Sequence, residues 1–423
     1  MQRTLSPEDF RQVVGGEHVR EAVPDDAVDG VVPSIVVEPG SVEEVSEVLK
    51  LASGAGLKVA PRGSGTKMEL GNPPAGLDVI LSTRRLNRII EHAAGDLVAG
   101  VQAGVRLEDL QEELSGANQM LALDPPEAEG TVGGIVAADA SGPRRLRYGT
   151  ARDLLIGITV VLADGTVARA GGKVVKNVAG YDLSKLFTRS LGTLGVIVET
   201  IWRLHPVPFA SGTVAAELED AASAGAAVQS ILHSSLVPGA LELRWRGGRG
   251  RLAVLIEGVK PGVEAQSRAA RELLGEHGEA RILDESEEDE LWSELLPMPW
   301  ESGGIGLKIA GVPAGLPDVL ESVERITGRY GFEPEISGHA GTGVTFVGLS
   351  GGDEDSRAAA IGELRRGVEE RGGSLVLVQA PAELKRRVEV WGSTGDALQL
   401  MRRVKERFDP GYILNPGRFV GGI

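Results

Sequence analysis

Residues Gly130 to Arg152 read GTVGGIVAADASGPRRLRYGTAR, and this stretch decides how the rest of the chain is read. It is too rich in glycine to form one regular element. Val132, Ile135, Val136 and Ala137 nevertheless give it the small apolar contacts that a linker lacks. Glycine has no Cβ, so its backbone can lie against a flat or charged ligand and present an N–H to it. A second glycine loop lies upstream, Pro61-Arg62-Gly63-Ser64-Gly65-Thr66, directly after the apolar Leu57-Lys58-Val59-Ala60. Its successive amides suit an anion-binding nest. Two such loops ahead of residue 200 imply a large phosphate-bearing cofactor. Neither has the G-x-G-x-x-G or Walker A spacing, which argues against an ordinary dinucleotide fold or P-loop.

Bulk properties narrow the function classes. A chain of 423 residues is long enough for two domains with separate cores. Its net charge of −16 disfavours a nucleic-acid partner, whose phosphates it would repel. The absence of cysteine removes disulfides, thiolate metal sites and any iron–sulfur cluster held by this chain. No apolar run reaches the length of a direct membrane span. The opening Met1-Gln2-Arg3-Thr4-Leu5-Ser6-Pro7-Glu8-Asp9 lacks the apolar core of a secretory signal, so a cytoplasmic location is expected, with membrane association only through a partner.

Along the chain, Ser34–Pro39 reads as a strand. Ser41-Val42-Glu43-Glu44 reads as a capping box, leading a helix with Val42, Val45, Val48, Leu49 and Ala52 on one face. The next strand delivers the Pro61–Thr66 loop. Leu97 to Ala103 is a strand and Arg106 to Leu114 a short helix. Leu155 to Ala163 and Thr166 to Ala170 flank Asp164-Gly165, a hairpin signal. The strand Val196 to Leu204 closes at His205-Pro206-Val207-Pro208, read as a domain boundary.

From there the element order repeats. Strands at Val214–Leu218, Leu241–Arg246, Leu252–Glu257 and Ala280–Leu283 alternate with helices Asp220–His233 and Val263–Glu276. The same β-α-β-β-α-β order returns between Ile305 and Val378, which predicts one broad sheet with helices on one face. The acidic run Asp284 to Glu290 between the rounds reads as a solvated helix start and not as a metal site. A helix over Asp396 to Arg407 then runs into a proline- and glycine-bearing tail that looks ordered.

The Pro61–Thr66 loop, Gly130–Gly149, Lys176–Asp182, Gly192–Ile197 and Asn415-Pro416-Gly417 occur in this order. Together they resemble the FAD-linked oxidases of the vanillyl-alcohol-oxidase type, whose FAD-binding domain is of the p-cresol methylhydroxylase (PCMH) type. Within that family the likeness is to the E subunits of bacterial glycolate oxidase, over nearly the whole chain. The resemblance implies an α+β fold. Residues 1–207 would form a two-part FAD-binding domain and 208–381 a cap domain with a broad, mostly antiparallel sheet of two ferredoxin-like rounds. Residues 382–423 would pack back on the FAD domain.

For the cofactor, the resemblance implies that Pro61, Arg62, Gly63, Ser64, Gly65, Thr66 and Lys67 wrap the pyrophosphate. Pro125, Thr131, Gly133, Gly134, Ala138, Ser141, Gly142, Arg147, Tyr148 and Gly149 would line the other side. Gly195, Val196 and Ile197 would lie along the adenosine, Asn415 near the isoalloxazine ring, and Lys176 and Tyr181 at its border. Some relatives bond FAD covalently through His or Cys. This chain has no Cys and no His between Gly63 and Lys67, so non-covalent FAD is expected. His92 and His205 read as surface or core histidines.

One motif departs from the family. Its catalytic members carry Gly-His-x-Gly-x-Gly-x-x-His for a metal, where this chain reads Ser337-Gly338-His339-Ala340-Gly341-Thr342-Gly343-Val344-Thr345-Phe346. One imidazole without partners is a poor divalent site, so no metal is expected. His339 stands as either a hydrogen-bonded loop residue or a general base, with Arg244 and Arg418 as candidate clamps for a substrate carboxylate. The function implied is an FAD-binding subunit of a glycolate (2-hydroxy acid) oxidase or dehydrogenase complex. Its substrate would be a small 2-hydroxy acid, and its partners a catalytic flavoprotein and an iron–sulfur protein. A self-sufficient oxidoreductase and a non-catalytic FAD-binding scaffold remain as alternatives.

Overall fold

The computed structural model describes residues 6–127, 129–173 and 182–423. Contacts divide the chain into two compact units. The first holds the described residues up to Ser141, Thr150–Val207 and Thr394–Ile423; the second holds Gly142–Gly149 and Pro208–Ser393.

The first unit contains two principal sheets. Strands β1 (Val19–Glu21), β2 (Ile35–Val37), β3 (Val59–Arg62) and β4 (Val79–Ser82) form one, in the order β1-β2-β4-β3. The last three run parallel, and β1 is antiparallel to β2. A parallel β2 and β3 require a crossover, which the helix Val42–Ala55 provides. Ser41 caps that helix by accepting from the Glu44 amide at 3.1 Å. Glu44 in turn accepts from the Gly40 amide at 2.7 Å, so the reciprocal half of the box reaches one residue beyond the cap. Val42, Val45, Val48, Leu49 and Ala52 all point into the core with Val37, Val59 and Leu81.

The second sheet combines β5 (Ile89–Ala93), β6 (Val98–Gln102), β8 (Leu155–Val161), β9 (Val167–Gly171) and β10 (Val196–Arg203). Their order is β5-β6-β10-β8-β9, with every pairing antiparallel. A two-stranded pair joins β7 (Gln119–Met120) to β11 (His205–Pro206). The expected hairpin joins β8 and β9: Gly165 has φ +83°, and Asp164 accepts from the Thr166 amide at 2.8 Å. The glycine-rich stretch resolves into three short helices, Val132–Ala138, Arg145–Tyr148 and Ala151–Leu154, the first ended by Asp139 at φ +52° and the second by Gly149 at φ +84°. The C-terminal tail belongs to this unit. The Val59 amide donates to the Ile413 carbonyl and the Asn415 amide to the Val59 carbonyl, which sets the tail beside β3.

The second unit is built on eight strands: β12 (Ala210–Leu218), β13 (Pro238–Arg246), β14 (Arg249–Gly258), β15 (Glu279–Ile282), β16 (Ile305–Ala310), β17 (Glu335–His339), β18 (Val344–Leu349) and β19 (Ser374–Gln379). Their order is β15-β12-β14-β13-β17-β18-β16-β19, all antiparallel. Each ferredoxin-like round is one half of the sheet, and the halves meet where β13 pairs with β17. The acidic run starts the helix Glu285–Leu295, capped by Asp284. That helix sets Leu291 and Leu295 against Ala215 and Ala253 of the sheet.

Candidate functional site

A groove in the first unit, with about 550 Å³ of empty volume, is lined by Pro61 through Met68, Thr131, Gly134, Ala137, Ala138, Leu191, Gly192, Asn415 and Arg418. Four segments distant in sequence therefore share one concavity. Glycines shape its walls by close packing. A Cβ on Gly63 would stand 2.0 Å from Thr131 Oγ1, and one on Gly133 2.6 Å from the Ala103 Cβ. The loop and the glycine stretch consequently touch backbone to side chain. Gly134 differs, since a Cβ there would meet only Thr131 Oγ1, at 3.2 Å. Gly65 has φ +91°, the left-handed region that turns the loop through its tip.

The groove offers hydrogen-bonding capacity to a ligand. Among the described residues, the backbone amides of Ser64, Gly65 and Thr66 have no acceptor. Asn415, itself at φ +44°, donates through Nδ2 to the Leu191 carbonyl at 2.5 Å, while its buried Oδ1 has no partner. A buried polar atom left unpaired costs roughly 1–3 kcal/mol, so this arrangement fits a polar ligand edge. Successive free amides fit an anionic group such as a pyrophosphate.

Charged residues around the groove serve the loop. Arg62 donates to Asp26 Oδ1 at 2.9 Å, and Arg20 makes a two-pronged contact with the same carboxylate at 2.6 and 2.8 Å. The hydrogen bonds from Arg20 hold the Asp26 carboxyl well below the usual carboxylate range. Lys67 forms an ion pair with Glu127. Arg418 donates through Nη2 to the carbonyls of Met68 and Leu70 at 2.5 and 2.6 Å, and burial pushes its guanidinium down to about 10. Its cation is thus engaged in closing the loop, a different task from the carboxylate clamp expected above. Beneath the tail, fully buried Lys405 donates to Asp409, to the Thr193 carbonyl and to the Leu414 carbonyl, at 2.7, 2.7 and 2.8 Å.

Other expected cofactor positions fall elsewhere. Pro125, Ser141 and Gly195 lie in the first unit but outside the groove lining, while Val196 and Ile197 are buried in β10. Gly142, Arg147, Tyr148 and Gly149 belong to the second unit. There Arg144 donates twice to Glu257 Oε1 at 3.0 Å, Tyr148 donates to Oε2 at 3.2 Å, and Arg147 donates to the Glu257 carbonyl at 2.8 Å. Burial and the Glu257 charge raise the Tyr148 phenol above its ordinary value. Lys176 and Tyr181 lie outside the described residues. Met68, Ala137, Leu191 and Gly192 line the groove without being singled out by the sequence, although Gly192 stood in one of the five recognised segments.

The second unit holds the histidine. His339 and Glu242 face each other across the β13–β17 seam, both about 5% exposed. His339 Nδ1 lies 2.9 Å from each carboxylate oxygen of Glu242, and the Phe346 ring meets the imidazole edge-to-face at 5.4 Å. His339 Nε2 is buried without a hydrogen-bond partner. The expectation that this imidazole lacks an orienting partner is corrected here. The partner comes from a strand 97 residues away, which no local motif can reveal. Arg244 donates to Glu335 at 3.1 Å and to the Pro297 carbonyl at 3.0 Å. His92 bonds Gln119 at 2.9 Å, and His205 lies in β11.

Two family profiles match the chain: the FAD binding domain over residues 33–171, and the C-terminal domain of FAD linked oxidases over residues 383–419. The chain is an FAD-linked oxidoreductase. FAD is its cofactor, and the first profile spans both the Pro61–Met68 loop and the glycine stretch that face the groove. Glycolate oxidase subunit GlcD of Bacillus subtilis is 29% identical over 419 residues, covering 91% of this chain and 88% of that protein. A D-lactate dehydrogenase of Archaeoglobus fulgidus is 29% identical over 430 residues, with 91% of each chain covered. Glycolate oxidase subunit GlcE of Escherichia coli is 36% identical over 226 residues, 51% of this chain and 59% of that one. Among solved structures, p-cresol methylhydroxylase superposes with TM-score 0.76 at 18% identity, covering 97% and 95% of the two chains. The 4-ethylphenol oxidase of Gulosibacter chungangensis gives TM-score 0.74 at 20% identity, covering 97% and 96%. The oxidoreductase therefore has the PCMH-type fold, with a large antiparallel sheet in its cap. No helix among the described residues is long and apolar enough to cross a membrane.

Proposed function

We propose that this oxidoreductase is an FAD-carrying subunit of a multi-subunit assembly that oxidises a small 2-hydroxy acid, glycolate or lactate, to the 2-oxo acid. The observation that carries this reading is the 36% identity to a glycolate oxidase E subunit over 226 residues. The cysteine-free composition supports it, because electrons leaving the flavin toward iron–sulfur clusters would need a partner that holds them. A catalytic flavoprotein is the second partner. The assembly is placed in the cytoplasm, with any membrane association through a partner.

In this reading the Ser64–Thr66 amides bind the pyrophosphate of FAD, and Thr131, Gly134, Ala138 and Asn415 form the rest of the cradle. FAD supplies the hydride-accepting ring when bound. The chain's own residues position it and keep the loop in shape through the Asp26–Arg62 and Arg418 contacts. FAD is held without a covalent bond in this reading: no Cys exists in the chain, and among the described residues no groove-lining side chain is His or Tyr.

Purification from the native host, with flavin and iron measured on everything that comes along, tests the assembly. Two flavoproteins and an iron–sulfur protein, with flavin bleached by glycolate or D-lactate, are expected. A chain that purifies alone and whose flavin is reduced by neither acid would end this reading. A second reading, an oxidoreductase that turns over alone, is favoured by the oriented His339–Glu242 pair. Rapid flavin reduction by either acid in the isolated chain would select it.

A further inference from the structure

We propose that Lys405 is a positioning residue for the cofactor: from behind the groove wall it fixes the Leu191–Thr193 turn and the tail, so that Asn415 Oδ1 meets the FAD. The proposal rests on the reading that FAD fills the groove with Asn415 in its cradle. All the residues concerned belong to the first unit. Leu191, Gly192 and Asn415 line the groove, whereas Lys405 and Asp409 lie behind that lining and are 0% exposed.

Two segments 224 residues apart meet at this wall. A carbonyl only accepts hydrogen bonds, so the Asn415 amide must face Leu191 with Nδ2, as it does at 2.5 Å. That orientation leaves Oδ1 on the other side of the amide, buried and without a partner. An unpaired acceptor in a groove-lining side chain fits an N–H or O–H donor of the ligand. The backbone on either side of the bond is not at rest by itself. Leu191 has φ +50° and Asn415 φ +44°, a left-handed region that costs a leucine above all. Such geometry persists only where the surroundings dictate it.

Lys405 supplies that constraint. An ammonium has three N–H donors, and here they meet three acceptors: the Thr193 carbonyl at 2.7 Å, Asp409 Oδ2 at 2.7 Å and the Leu414 carbonyl at 2.8 Å. Thr193 follows Leu191 by two residues and Leu414 directly precedes Asn415. One cation therefore ties the backbone on both sides of the Asn415–Leu191 bond. Asp409 completes the clasp by accepting from the amides of Ile413 at 3.0 Å and Leu414 at 2.8 Å. With its three donors engaged, Lys405 acts on the cofactor only through Asn415. An apolar side chain would fill the same space without the desolvation cost of an ion, but it could not bind two carbonyls at once.

The test is FAD titration of the full-length apoprotein, at a temperature where circular dichroism shows each variant folded. Lys405→Met and Asn415→Ala should each weaken FAD binding by on the order of ten-fold, the scale of one lost hydrogen bond. The variant carrying both changes should bind no more weakly than the poorer single one, because both remove the same contact. Where Lys405→Met does not fold, Lys405→Met/Asp409→Asn takes its place, since it leaves no ion buried alone. A second measurement needs no FAD: the Asn415 side-chain amide protons should exchange slowly in the wild-type apoprotein and rapidly in the Lys405 variant. A lysine that only stabilises the fold would give losses that multiply in the combined variant, or wild-type FAD affinity without Lys405, and either result would overturn the proposal. Wild-type affinity in Asn415→Ala would instead take Asn415 out of the cradle and end the reading beneath it. Amide exchange still decides the positioning role in that case, and unchanged protection in the Lys405 variant would sink it.

Discussion

Arg62 reaches out of the groove-lining Pro61–Met68 loop to bind Asp26, a residue that no sequence motif marks. The 2.9 Å contact joins the start of the loop to a buried carboxylate that Arg20 also holds. Asp26→Asn should therefore loosen the loop, weaken FAD retention and lower stability by about 2 kcal/mol, the scale of a charge-assisted hydrogen bond. The sign with pH follows from the lowered carboxyl. Its stabilisation is complete above the ordinary value of 3.8 and is lost as pH falls below it. Denaturant melts at pH 7 and in increasingly acid buffer should show the wild-type advantage over Asp26→Asn shrinking only at the acid end. An advantage that stays constant down through that range would contradict the assignment.

Gly134→Leu tests the groove with little risk to folding, because a Cβ there meets only Thr131 Oγ1, at 3.2 Å. The rest of the leucine would project into the volume assigned to FAD. The variant should fold with nearly the wild-type melting temperature in the apo state, yet purify with little flavin. Full flavin content would remove the glycine stretch from the binding site.

Lys405→Met should be among the most damaging single changes in the first unit. It strands Asp409 in a site where both side chains are 0% exposed, and removing one member of a buried pair costs roughly 3–5 kcal/mol. Two backbone amides, of Ile413 and Leu414, still donate to Asp409 and keep the expected loss from being larger. Calorimetry should show a drop of several degrees in melting temperature, with tail residues near Asn415 gaining hydrogen exchange. A change of under a degree would mean that the pair is solvated.

Acid precipitation should release the flavin into the supernatant, as among the described residues no groove-lining side chain is of a kind that bonds it. Yellow colour retained by the washed pellet would show a covalent link.

Much of the architecture was legible because it is written in local chemistry. The Ser41 cap, the apolar face from Val42 to Ala52, the Asp164-Gly165 hairpin and the two β-α-β-β-α-β rounds all rest on contacts within a few residues or on periodicity. The cofactor followed from two glycine loops and their order. What the sequence could not determine are the pairings made by strands and loops that meet from far along the chain. The seam that sets Glu242 beside His339 depends on which edges of the two half-sheets join, and neither edge is marked in its own sequence. The same holds for Asp26 under the loop at Arg62, and for the division of the glycine stretch between the two units. Its Arg144, Arg147 and Tyr148 end at Glu257, while Thr131 and Gly134 line the groove. Local chemistry determined the elements and the ligand class. Tertiary packing decided which charges are buried together, because burying a charge is tolerable only where the fold brings its partner.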